Sequence, residues 1–399
     1  MSVVHSKYPD FIHTFIYSLV LGKHFIINTG NYNHRTGSSI EYVASALVDF
    51  LSSFKWIKYR ILDCSSADDN YFAEKLESMS HRSSEIHNRH EVLIIIPSND
   101  IKNNFKDGVK IAYFLQSVTR LTKNVGMKNG TTFSAVCVSN MDVLNQHQYL
   151  YKQFWLCCSL DSFVNQIQQN QAITVNNLNA YYLKFIKTWS HIQRSGEATI
   201  FHSSLRQYIL DIVVHLRVHR FSVQGKAGGA QTNSLKDMTF LAKLFALTPF
   251  IYKQLYAESS DVELDNCLVT PDFIKQACFW YFPFKLQLSI SKEHMKHPNF
   301  IKDPSILYGS DPALVDDLCN KLQDLQLMKR KQYQKHYNNT QGNWQQGAQA
   351  AQQDSHEQTP EQEYVGQRQD KDHVSQTEAD FFFQLLVVKD VLNNVVPPF

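Results

Sequence analysis

No CxxC pair, no run of eighteen uninterrupted apolar residues and no GxxxxGK[ST] loop occurs in this 399-residue chain. Each absence excludes a class. The seven cysteines are Cys64, Cys137, Cys157, Cys158, Cys267, Cys278 and Cys319. Unpaired in spacing and odd in number, they do not read as a secreted disulfide framework. Most lie in apolar runs, such as AVCV and FWLCCSL, and read as small buried hydrophobes in a reducing compartment. Without a long apolar run, no transmembrane helix is expected. The stretch FIHTFIYSLVL is interrupted by His13 and no small-residue cleavage site follows, so no signal peptide is expected either. Charge of one sign is lacking too. A formal net charge of +2 excludes a basic arm spread over the whole chain, but not a local basic face. The expectation is a soluble intracellular protein, in nucleus or cytoplasm, with no membrane partner.

What the chain has is enough apolar material for a core: 43% hydrophobic residues against 19% charged. The length suggests two domains with a disordered part. HFIINTG (24–30), KYRILDC (58–64), EVLIIIP (91–97) and TTFSAVCVSN (131–140) are apolar runs that predict strands, the third buried on both faces. Amphipathic stretches at 38–54 and 108–124 alternate with them, which indicates an α/β layer with a mostly parallel sheet over residues 1–190. Residues 191–332 then read as helices only. Ser204 is a candidate N-cap for a helix to Phe221, Ser234 for LKDMTFLAKLFAL, and Thr270 with Pro271 for the next, and DPALVDDLCNKLQDLQLMKRKQ suggests a fourth. Residues 333–377, rich in glutamine, cannot bury enough apolar surface to offset chain entropy and are expected to be disordered. The hydrophobic tail, 378–399, is expected to dock on the body.

The turn GNYNHRTGSS sits where a phosphate-binding loop would sit, after a buried strand and before a helix. Yet Gly30 and Gly37 are too far apart, and Ser38 takes the place of the lysine that neutralises the terminal phosphates. Ser39 keeps the hydroxyl that would hold magnesium. At the end of the third strand, Pro97 and Ser98 stand where an acid pair would orient the attacking water, with Asp100 later. Asn140 ends the next strand as a lone polar residue. His81, His87 and His90 read as an exposed loop, so no metal is expected, and His147 and His191 have no nucleophile nearby. Arg206, Arg217 and Arg220 fall eleven and fourteen residues apart and share a helix face, with Lys226 following in a glycine-rich loop. Such a stripe can meet phosphates or an acidic surface, or be an ordinary solvated face. Phe279, Trp280, Tyr281, Phe282 and Phe284 read as core rather than a base-stacking platform.

The blocks YILDIVVHLRVHR, KAGGAQTNSL, WYFPFKL, LYGSDPALVD and LLVVKDVLNNVVPPF closely resemble the maintenance-of-telomere-capping protein 2 family of fungi. That resemblance implies a role linked to telomere end protection. A second likeness covers the body, which resembles AAA+ ATPases of the magnesium-chelatase and MoxR type, with an α/β domain followed by a helical lid. The lid likeness lies in Tyr208 to Asp211, Gly228 and Gly229, Leu235 to Leu247, and Val269 to Asp272. Where those ATPases carry a sensor arginine, this chain has Gln231, Thr232 and Asn233, and Gln153-Phe154 stands for their Arg-Phe pair. The resemblance therefore implies a degenerate P-loop-NTPase-like fold without cofactor or catalytic residues, an adaptor working through protein partners. A residual nucleotide switch or slow ATPase and a single-stranded nucleic-acid binder are the alternatives.

Overall fold

The computed structural model describes residues 7–29, 39–64, 71–72, 74, 77, 90–97, 104–129, 132–139, 148–170, 174–195, 201–219, 221–223, 229–256, 267–288 and 381–398. Their elements belong to one compact unit, Met1–Ser289 with Ser375–Phe399. The fourth expected helix of the second half and the glutamine-rich stretch lie outside the described residues.

Five strands, β1 (His24–Asn28), β2 (Ile57–Asp63), β3 (His90–Ile96), β4 (Phe133–Ser139) and β5 (Phe154–Ser159), form one parallel sheet in the order β2-β3-β4-β1-β5. The chain is α/β. The register follows the side chains. Phe25, Ile27, Val92, Ile94, Val136 and Val138 join one apolar cluster, while Ile26, Leu93, Ile95, Ala135 and Cys137 join another, so alternate residues feed opposite faces. All five residues of β1 are buried. The fifth strand, FWLCCS, lacks β-branched residues and escapes a reading based on them. It carries a bulge: His24 pairs with Phe154 and Phe25 with Leu156, which leaves Trp155 as the extra residue. The bulge turns Trp155 toward the first helix, where its Nε1 donates to Ser18 Oγ at 2.9 Å.

That helix, α1 (Phe11–Leu21), is the stretch that invited comparison with a signal peptide. Asp10 caps it, accepting from the His13 amide at 2.9 Å, and Gly22 ends it in the left-handed region at φ 60°. Burial would raise the Asp10 carboxyl, but the His13 ring and its hydrogen bonds hold it below its ordinary range. On the face of α1 stand α2 (Ser39–Ser52), α5 (Leu160–Asn170) and α6 (Thr174–Ser195). The other face is covered by α3 (Asn104–Asn129) and the short α4 (Gln148–Tyr151).

The remaining helices are α7 (Ser203–Val218), α8 (Asn233–Tyr256) and α9 (Pro271–Lys285). The capping residues differ from expectation at two of them. His202, not Ser204, caps α7 and accepts from the Ser204 amide at 3.3 Å. Ser234 lies inside α8, fully buried, with its hydroxyl 3.4 Å from that of Tyr281. Thr270 is the N-cap of α9 with Pro271 at its first position, without a side-chain bond. Trp280, Tyr281, Phe282 and Phe284 of α9 are buried, as core residues.

The tail forms α10 (Phe382–Asn394), packed on α7 and α9. It feeds both cores: Phe381 and Leu385 join the cluster on the α3 face, Val387, Val388, Val391 and Val395 the other. A buried pair pins it, His219 Nε2 to Asp390 Oδ2 at 3.0 Å, and Asn394 Nδ2 also donates to Asp390 at 3.0 Å. Removing the Leu385 side chain beyond Cβ should therefore cost about 2–4 kcal/mol. Denaturant unfolding of Leu385→Ala measures it; a loss below about 0.5 kcal/mol would show a tail that rests on the surface.

Candidate functional site

The order in which successive strands are laid down switches direction between β4 and β1. From β1 the chain crosses to the far edge at β2, and from β4 it passes β1 to reach β5. Open α/β sheets bind ligands in the crevice at the carboxyl ends of such strands. Here β1 ends at Asn28, followed by Thr29, whose amide donates to Ser139 O, the last residue of β4, at 3.2 Å. Asn28, Thr29 and Ser139 are buried. Ser39 opens α2, so residues 30–38 connect β1 to α2 in sequence. Gly30, Gly37 and Ser38 themselves lie outside the described residues, as do Ser98, Asp100 and Asn140. Pro97, directly after β3, is buried. Among the described residues, the last positions of the five strands are Asn28, Asp63, Ile96, Ser139 and Ser159. The one carboxylate in that set, Asp63, sits exposed on the edge strand, three strands from β1.

One member of the histidine cluster, His90, differs from its reading as part of a loop. His90 is the first residue of β3 and buried, edge-on to Trp56 and Tyr182, with its Nδ1 bonded to Thr132 Oγ1. Burial pushes its pKa down to about 4. It is a neutral core residue, held there because Trp56 and Tyr182 stack at 4.0 Å beside it. His81 and His87 lie outside the described residues, and among those described no group of three metal-ligating side chains forms.

The opposite end of the sheet holds a polar cluster that sequence spacing could not show. Lys23, just before β1, pairs with Asp237 of α8. Tyr281 of α9 donates to the same carboxylate at 3.0 Å, and Lys285, fully enclosed, donates to the Phe154 carbonyl that opens β5. The Tyr151 and Phe284 rings lie 5.5 and 5.0 Å from the Lys285 ammonium. Burial is the main cause that pushes its pKa down to about 8; Asp237 opposes the shift and Lys23 adds to it. Gly229, at φ 85°, fits against this cluster, because a Cβ there would collide with the Lys285 carbonyl oxygen.

Arg206 is exposed, whereas Arg217 Nε donates to the Ala230 carbonyl at 2.6 Å and so braces the entry to α8. Arg220 and Lys226 lie outside the described residues.

No protein-family model matches the chain, and no solved structure does. Curated relatives do. The chain is 32% identical over 249 residues to "Maintenance of telomere capping protein 2" of Lachancea thermotolerans, a match covering 62% of this chain and 59% of that protein. It is 33% identical over 185 residues to the Kluyveromyces lactis protein of the same name, 46% of this chain and 52% of that one. Identity to the Saccharomyces cerevisiae protein of that name is 32% over 196 residues, 49% of this chain and 36% of the relative. The matches thus span between about a third and three fifths of each relative's length. No helix among the described residues is long and apolar enough to cross a membrane.

Two outcomes follow from the polar cluster. Gly229→Ala should lose more than about 3 kcal/mol of stability, read as a denaturation midpoint; a wild-type midpoint would mean that the turn relaxes freely. For Lys285 the folded-state pKa lies below the ordinary 10.5, so between about 8 and 10.5 the unfolded chain binds more protons. Stability should therefore rise with pH across that window, by on the order of 2 kcal/mol, relative to Lys285→Met. Parallel pH profiles for the two proteins would contradict this.

Proposed function

We propose that this chain is a non-catalytic scaffold, a degenerate AAA+-like body with a lid-like set of helices, that works through protein partners in the maintenance of telomere capping. The telomere role is supported by the name its curated relatives share, and it points to work in the nucleus. The non-catalytic reading is supported by the sheet's carboxyl edge. Phosphoryl transfer needs a cation on the phosphates and a carboxylate or equivalent near the attacking water. Ser38 stands in the sequence where that lysine would be, and Pro97 follows β3 as a buried apolar residue where an acid would be.

A nucleotide-responsive switch is the second reading. Its support is the position of the Gly30–Ser38 turn, after a fully buried central strand and before α2, with Ser39 retaining a hydroxyl.

Purified protein should hydrolyse ATP no faster than buffer. Turnover that co-purifies with the protein and vanishes in Ser39→Ala would overturn the scaffold reading in favour of the switch. Loss of the protein should also worsen growth of cells whose telomere caps are already weakened; unchanged growth would count against the telomere role.

A further inference from the structure

Helices α7 and α8 run antiparallel. Arg217, near the end of α7, bonds to Ala230 just before α8, while Arg206, near the start of α7, lies close enough to Lys243 of α8 to repel it. Lys236, Phe240 and Lys243 are spaced by four and three residues, so they share one face of α8. The Lys236 ammonium stands 5.6 Å from the Phe240 ring centre, and that of Lys243 stands 5.9 Å from the Phe201 ring. The result is a row of three cations, Arg206, Lys243 and Lys236, across two helices.

The row lacks local compensation. Of the carboxylates on these two helices, Asp237 is engaged by Lys23 and Tyr281, and Asp211 by the Gln207 amide at 2.8 Å. Among the described residues no ion pair reaches Arg206, Lys236 or Lys243. Burial first, and the Arg206 guanidinium second, hold the Lys243 ammonium below the ordinary lysine range. Two like charges near enough to repel, one of them partly buried, lower the stability of the free protein, and an anion that meets both recovers that loss.

We propose that the Arg206–Lys243–Lys236 row is the docking face for an acidic segment of a partner protein. The inference rests on the scaffold reading and gives that scaffold's partner a chemical character. Carboxylates suit the row better than single-stranded nucleic acid, because the rings here are taken. Phe201 is buried and Phe240 lies under Lys236 and Lys23, so neither offers an open face for a base. Along α8 the two lysines lie about 10 Å apart at the helical rise, a span that a few acidic side chains can bridge.

The test uses the full chain and two labelled probes, a glutamate-rich peptide of about twenty residues and an oligothymidine of the same length. Fluorescence anisotropy at low and physiological salt gives the affinities. The peptide should bind saturably and more tightly than the oligothymidine. The double variant Arg206→Gln/Lys243→Gln should lose about tenfold or more in affinity at a melting temperature no lower than that of the wild type, and Lys243→Arg should retain binding. Absence of saturable peptide binding, tighter binding of the oligothymidine, or full affinity in the double variant would each overturn the proposal. Protein partners recovered equally by wild type and the double variant would also overturn it, while leaving the scaffold reading intact.

Discussion

One carboxylate, Asp237, ties the helical half of this protein to the entry of its sheet's first strand. It lies on α8, yet its partners come from the turn before β1 and from α9, through Lys23 and Tyr281. A buried carboxylate is costly unless paired and hydrogen-bonded, and here the pairing and the bond come from two separate elements. The order of the sheet makes the arrangement consequential. Because β1 lies between β4 and β5 and is buried throughout, whatever anchors its entry positions the whole sheet. Lys285 extends the same anchor to β5 through the Phe154 carbonyl.

The two ends of the sheet thus have different characters. At the amino end the charges of Lys23, Asp237 and Lys285 are spent on structure. The carboxyl end, where open α/β sheets usually do chemistry, presents Asn28, Thr29 and Ser139 as buried polar residues bonded into the fold. The tail adds a second constraint. By feeding both apolar clusters and pairing Asp390 with His219, α10 becomes part of the body rather than an appendage. Among the described residues no ion pair reaches Arg206, Lys236 or Lys243, which lie on α7 and α8.

Four strands were legible as apolar runs, three of which, β1, β3 and β4, are buried on nearly every residue. The fifth was not, since Phe, Trp and Cys serve a buried strand or a buried helix equally well. His90 belonged in sequence to a polar run, but Trp56 and Tyr182 enclose it, and no spacing announces contacts across such distances. The same holds for Asp390 with His219 and for Lys243 with Arg206. Periodicity within one helix grouped Arg206 with Arg217, but it could not name their neighbours, Lys243 for the first and the Ala230 carbonyl for the second.

Whether the carboxyl edge of the sheet still holds a nucleotide is the question on which the scaffold account turns. Melting the full chain with and without magnesium and about 1 mM ATP answers it directly, because a ligand at a hundred times its dissociation constant stabilises the folded state by about 2.7 kcal/mol. The account predicts superimposable transitions. An upward shift of several degrees that saturates with ATP would contradict it.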